Sequence, residues 1–268
     1  MSRSGSTRPP ARHLQAMEAA WLPAEAAGFA ALRPWLRTMR RGDGHPVLVL
    51  PGFMTTDQST AALRTVLHRQ GYWAHPWRLG RNIGPTSRVV NGMGHRLEAL
   101  HDRHQRPVTL IGQSLGGVYA RILARQHPDL VRQVISLGSP YRMVEGDRSG
   151  VDGIWERFRR FHDGELAFAE LAEHERPLLE VPSTSVYSRA DGVAPWHTCI
   201  DAERDQCENI EVRGSHIGMA VNPAVVVAVL DRLAQPAGAW RPFVPPRAMR
   251  SWYPRPRRWH AERPGRVA

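Results

Sequence analysis

Six short strand-like runs punctuate this chain, and segments of helical periodicity fill most of the gaps between them. The runs are "VLVL" (47–50), "GYWAHPW" (71–77), "VTLIG" (108–112), "VRQVISLG" (131–138), "STSVYS" (183–188) and "NIEVRG" (209–214). Helices are expected over Gln58–Gln70, with Asp57 as its cap, over Ser87–His104, over Leu115–Gln126, and from near Pro223. Short strands alternating with helices specify a mainly parallel sheet covered on both faces. Such sheets bind ligands at the carboxyl ends of their strands.

The third run ends in a stretch that a plain strand-to-helix turn does not need, Gly112-Gln113-Ser114-Leu115-Gly116-Gly117. A serine lifted on a strained turn brings the residues two before and two after it close together, and only very small side chains fit there. The same turn sets the hydroxyl at the positive end of the following helix, which favours a developing oxyanion. The alternative is a glycine-rich turn carrying an ordinary serine.

A serine nucleophile needs a base, a group that orients the base, and donors for the oxyanion. The first strand runs into Leu50-Pro51-Gly52-Phe53-Met54, and a loop there can present the Phe53 N–H beside the Leu115 N–H. Otherwise Pro51-Gly52 is a simple turn. The fifth run leads into Asp191, the expected orienting acid, although Asp-Gly is also a common turn pair. Asp201 and Asp205 lie deeper in the following loop. Of the histidines beyond Asp191, His197 sits in that wide loop and His260 in an arginine-rich tail. His216 directly follows the last strand, in Gly214-Ser215-His216-Ile217-Gly218, and is the expected base.

From about Val47 to Leu233 the chain resembles the serine hydrolases of the α/β-hydrolase fold, close to bacterial lipases and esterases. The resemblance rests on "LPGF", "GQSLGG", "SRADGVAP" and "GSHIGM", in the family's order of serine, acid, histidine. It implies Ser114 as nucleophile, His216 as general base and Asp191 as its partner. The expected reaction is two-step cleavage of a small-molecule or lipid ester, with no metal or cofactor. The same triad also serves acyltransferases and thioesterases. Pro51-Gly52 stands where many lipases carry His-Gly, which leaves Phe53 and Met54 both open as oxyanion donors. Helices replace the usual N-terminal hairpin, so about six strands are expected. The segment 141–181, with "IWERFRRF" and "ELAFAELAEH", stands at the family's cap position and is short.

Outside the hydrolase region, taken as 42–235, two basic ends are expected. Residues 1–41 hold a basic segment and an alanine-rich helix broken at Pro23 and Pro34; residues 236–268 form an extended arm rich in proline, arginine and tryptophan. The formal net charge is +11, yet ten of those charges fall in residues 1–13 and 241–268. The body is close to neutral, which argues against a nucleic-acid groove. The arm is expected to end in disorder, to wrap on the body through its aromatics, or to meet an anionic membrane surface. A surface-binding protein with a vestigial site is the rival from another class. No apolar run is long enough to span a bilayer, and the N-terminus has no apolar stretch behind its arginines. A cytoplasmic location is the expectation, with Cys199 and Cys207 as free thiols or as a local disulfide.

Overall fold

The computed structural model describes residues 9–143, 147–162, 176–202 and 204–256. Six strands form one all-parallel sheet: β1 (Pro46–Leu50), β2 (Trp73–Pro76), β3 (Val108–Gln113), β4 (Val131–Leu137), β5 (Ser183–Tyr187) and β6 (Cys207–Glu211), in the order β2-β1-β3-β4-β5-β6. The sheet is thus parallel throughout, and its sixth strand ends three residues short of the expected run. β1 is wholly buried because alternate side chains feed two cores. Val47 and Val49 join a cluster with α2 (Ala61–Arg69) and α6 (Pro223–Leu233). Leu48 and Leu50 join the opposite cluster with α3 (Ser87–His104) and α4 (Leu115–Gln126).

The strand order reverses between β1 and β3, since the chain steps to β2 on one side of β1 and then to β3 on the other. The carboxyl ends of these two strands flank the crevice where open α/β sheets bind ligands. Both glycine-bearing loops, Pro51-Gly52 and the Ser114 turn, leave the sheet at that point.

Two helix expectations need correction. Asp57 does not cap α2. Thr56 caps the 3-10 turn at Asp57–Thr60, while the Asp57 carboxylate accepts the Trp77 and Arg78 amides at 3.0 and 3.2 Å. Nor do Pro23 and Pro34 break the first helix: α1 runs unbroken from Arg12 to Leu36. Both prolines are exposed, as are residues 19 and 30, whose carbonyls lose a donor; water can bond them there. Leu32 and Leu36 pack α1 into the core beside α6.

The cap is small. α5 (Asp152–Phe158) and a 3-10 turn at Arg159–Phe161 cover "IWERFRRF", while "ELAFAELAEH" lies outside the described residues. The arm wraps the body as far as residue 256. Tyr253 is buried, its hydroxyl donates to the Ala224 carbonyl at 2.7 Å, and its ring meets Phe243 at 5.0 Å. Trp259 and His260 lie outside the described residues.

Candidate active site

Ser114 stands between β3 and α4 with φ 51° and ψ −124°, a region that non-glycine residues rarely occupy. Holding it there costs about 1–3 kcal/mol, which the surrounding structure must supply. The cause is legible in the glycines. A methyl group on Gly112 would fall on the Gly116 carbonyl, and one on Gly116 would fall on the Leu50 carbonyl. The turn is pinned by the Ser114 amide, which donates to the Leu137 carbonyl at 2.8 Å.

Asp191 follows β5 and His216 follows β6, and the two side chains meet. His216 Nδ1 donates to Asp191 Oδ2 at 2.6 Å, and both groups are buried. The other Asp191 oxygen accepts the Val193 and Ala194 amides at 2.8 and 2.7 Å, which fixes the carboxylate in its turn. Ser188 Oγ, donating to the Gly214 carbonyl at 2.7 Å, ties the two loops together. Burial alone would lower the His216 pKa, but the charge and hydrogen bond of Asp191, with the charge of Glu18, hold it above the ordinary 6.5.

The pair lies beside the serine turn. Gln113 Nε2 donates to the His216 carbonyl at 3.2 Å. Gly138, next to the residue that holds the Ser114 amide, is so close to the pair that a Cβ on it would sit 3.2 Å from His216 Nδ1. The Ser114 hydroxyl makes no hydrogen bond among the described residues, to His216 or to any other group. Nucleophile–base hydrogen bonds are often long in unliganded sites and tighten around substrate.

On the other side of Ser114, a Cβ on Gly52 would lie 3.9 Å from the serine Oγ, so the β1 loop covers the hydroxyl. Among the described residues the Phe53 and Leu115 amides have no partner, whereas the Met54 amide donates to the Asn82 carbonyl at 2.6 Å. The loop is held by Asn82, fully buried, whose side chain donates to the Pro51 carbonyl at 2.8 Å. Trp155 of α5 meets the Phe53 ring at 5.2 Å.

A cavity of about 280 Å³ opens at Ser114, lined by Phe53, Leu115, Val118, Ile122, Trp155 and Val193 among others. Asp191 and His216 do not line it. The other candidates stand apart. Asp201 is engaged by Arg121 at 2.8 Å, Asp205 is exposed, and His197 packs on Trp196. Cys199 and Cys207 are free and buried; burial pushes the Cys199 thiol well above its ordinary range and that of Cys207 up to about 12. Among the described residues no helix is long and apolar enough to cross a membrane.

Sequence reasoning missed Asn82, Gln113 and two glutamates of α1. Glu18 accepts the Gly192, His216 and Ile217 amides at 2.7, 3.0 and 2.9 Å, and Glu25 accepts the Ser215 amide at 2.9 Å. A signal existed: these are the only acids in α1, seven residues apart, on the same stripe as Leu32 and Leu36.

A family model described as the alpha/beta hydrolase fold matches residues 97–199. Among solved structures, lipase B of Aspergillus fumigatus is similar, with 15% identity, 73% of this chain and 54% of that chain covered, and a TM-score of 0.53. This chain therefore spans about half the length of that lipase. A monoacylglycerol lipase of Paleococcus ferrophilus matches with 14% identity over 73% of this chain and 95% of its own, TM-score 0.51. A structure of the metagenome-derived lipolytic enzymes LipS and LipT matches with 17% identity over 72% and 93%, TM-score 0.50. At such identities the likeness is one of fold.

Proposed function

The chain has the α/β-hydrolase fold, and from that premise we propose that it is a serine hydrolase of carboxylic esters working through an acyl-enzyme. The observation that carries the reading is Ser114 held at positive φ on a strand-to-helix turn, with the Asp191–His216 pair beside it. In this proposal Ser114 Oγ attacks the ester carbonyl while His216 Nε2 takes its proton. Asp191 keeps Nδ1 protonated and stabilises the imidazolium. The Phe53 and Leu115 amides hold the oxyanion; the commitment of the Met54 amide elsewhere supports Phe53 as the first donor. The alcohol leaves with the proton from His216. Water, deprotonated by the same imidazole, then releases the acid and frees Ser114.

The cavity, just below the ~300–1,000 Å³ common for small-molecule sites, and its apolar lining support short to medium acyl chains. A series of p-nitrophenyl esters from acetate to palmitate, with fluorophosphonate labelling of wild type and Ser114→Ala, tests both parts. Labelling and turnover that depend on Ser114 are expected, with the highest kcat/KM at short to medium chains. Equal turnover in Ser114→Ala removes the serine from the reaction.

The docked arm keeps Arg241, Arg247, Arg250 and Arg255 exposed beside Val244 and Trp252, and this supports attachment to anionic membranes. Pelleting with phosphatidylserine vesicles is expected to weaken when the four arginines are changed to Gln. The two unpaired buried thiols fit a reducing, cytoplasmic location.

A further inference from the structure

We propose that Glu18 and Glu25 are positioning residues that fix Asp191 against His216, so that α1 is a working part of the active site. The inference rests on the reading of Asp191 and His216 given above. Glu18 Oε1 accepts the Gly192 amide at 2.7 Å and the His216 amide at 3.0 Å, while Oε2 accepts the Ile217 amide at 2.9 Å. One carboxylate therefore joins the residue after the acid to the base itself. Glu25 lies two turns further along the same face. Its Oε1 accepts the Ser215 amide at 2.9 Å and the Asn222 side chain at 3.0 Å, and its Oε2 accepts the Ser215 hydroxyl at 2.6 Å. Asn222 in turn donates to the Arg213 carbonyl at 2.9 Å and caps α6. The loop that carries His216 is thus held at its start, its middle and its end.

Both carboxylates are 4% exposed, and among the described residues neither has a cationic partner. Oriented N–H and O–H donors satisfy them instead. A side chain that served only to fill space beneath a loop would be apolar, since burying an unpaired carboxylate is costly. What the carboxylate adds is acceptor capacity on both oxygens. For Glu18, all three donors are backbone amides, which cannot reverse their polarity. An amide side chain would turn an NH₂ group against one of them. For Glu25, Oε2 faces the Ser215 hydroxyl, which already accepts the Gly218 amide at 2.9 Å but has a second lone pair to offer an NH₂ group, at the cost of its own hydrogen's acceptor. The chemistry therefore predicts an asymmetry: Glu18→Gln is severe and Glu25→Gln is milder.

The test uses the full chain and p-nitrophenyl butyrate. Glu18→Gln is expected to lower kcat roughly 10–100-fold with KM within about twofold, the mark of misplaced catalytic groups rather than a lost binding contact. His216 is faced by Asp191 and Glu18, with Glu25 behind Ser215 and the Cys199 thiol beyond Asp191. Removing the Glu18 charge moves the rising limb of the pH–rate profile to lower pH. Glu18→Asp keeps the charge and restores the limb, with kcat between the two. Glu25→Gln lowers kcat less than Glu18→Gln does, by about three- to tenfold. Wild-type kcat and pH profile in a folded Glu18→Gln, or equal losses in both Gln variants, overturn the proposal. Should Glu18→Gln not fold, Glu18→Asp decides, and wild-type kcat in it overturns the proposal. If wild type shows no Ser114-dependent turnover, the reading of the site fails. The NMR titration of the His216 imidazole then decides the brace, and an unchanged titration in Glu18→Gln overturns it.

Discussion

The two ends of the sheet carry nearly the same three groups. At the carboxyl ends, Asp191 binds His216 beside Ser114, which follows β3. At the amino ends, Asp43 accepts from His45 Nδ1 at 2.5 Å, and the hydroxyl of Thr109, within β3, lies 3.0 Å from His45 Nε2. By hydrogen bonding alone the second trio is the more complete. Its surroundings make it a strut. Arg106 and Arg132 occupy the free Asp43 oxygen at 2.9 and 3.1 Å, and Gln133 donates to Thr109 at 3.4 Å. Thr109 is fully buried within β3, whereas Ser114 is strained and faces a cavity. The charges differ as well. Burial lowers the His45 pKa to about 4 and the two arginines push the same way, against Asp43. Burial lowers His216 too, but the charges acting on it are those of carboxylates, and they hold it above the ordinary value. The neighbours of an Asp–His pair, not the pair alone, set the charge state of its imidazole.

Breaking the upper trio gives the largest effects. Ser114→Ala is expected to cut kcat about 10⁴-fold or more, measured in ester turnover, with the fold intact by circular dichroism. Asp191→Asn is expected to cost roughly 10³–10⁴-fold. It also moves the rising limb of kcat/KM to lower pH, because the charge that raises the His216 pKa is gone. In wild type that limb is expected on the alkaline side of an ordinary histidine's.

Breaking the lower trio changes stability and leaves turnover within about twofold. His45 is neutral in the fold, with its pKa at about 4 against an ordinary 6.5. The unfolded chain therefore takes up its proton first as pH falls. The stabilisation is fully present above 6.5 and is lost progressively down to about 4, on the order of 1–3 kcal/mol. Urea melts between pH 8 and 4.5 read this slope, and His45→Gln flattens it. The smallest effect is expected from Thr109→Val, about 1–2 kcal/mol by melting, since His45 Nε2 and Gln133 each lose a partner.

What the sequence reveals about these ends is uneven. The strands and helices of the sheet follow from local periodicity, and the serine turn from glycines two residues to either side of it. The loops bearing Asp191 and His216 can be found because each comes straight after a strand. The lower trio cannot be read that way, since Asp43, His45 and Thr109 are unremarkable residues joined only by the packing of β1 on β3. Proline positions mislead for α1, because exposure of the outer face decides whether the helix survives. Glu18 and Glu25 are visible as odd acids on an apolar stripe, but nothing local names their partners.

The Glu18 amide contacts span up to 199 positions along the chain. Until the segment through residue 217 has packed against α1, water rather than the protein's own amides solvates these two acids, so docking the first helix is a late, long-range step in folding.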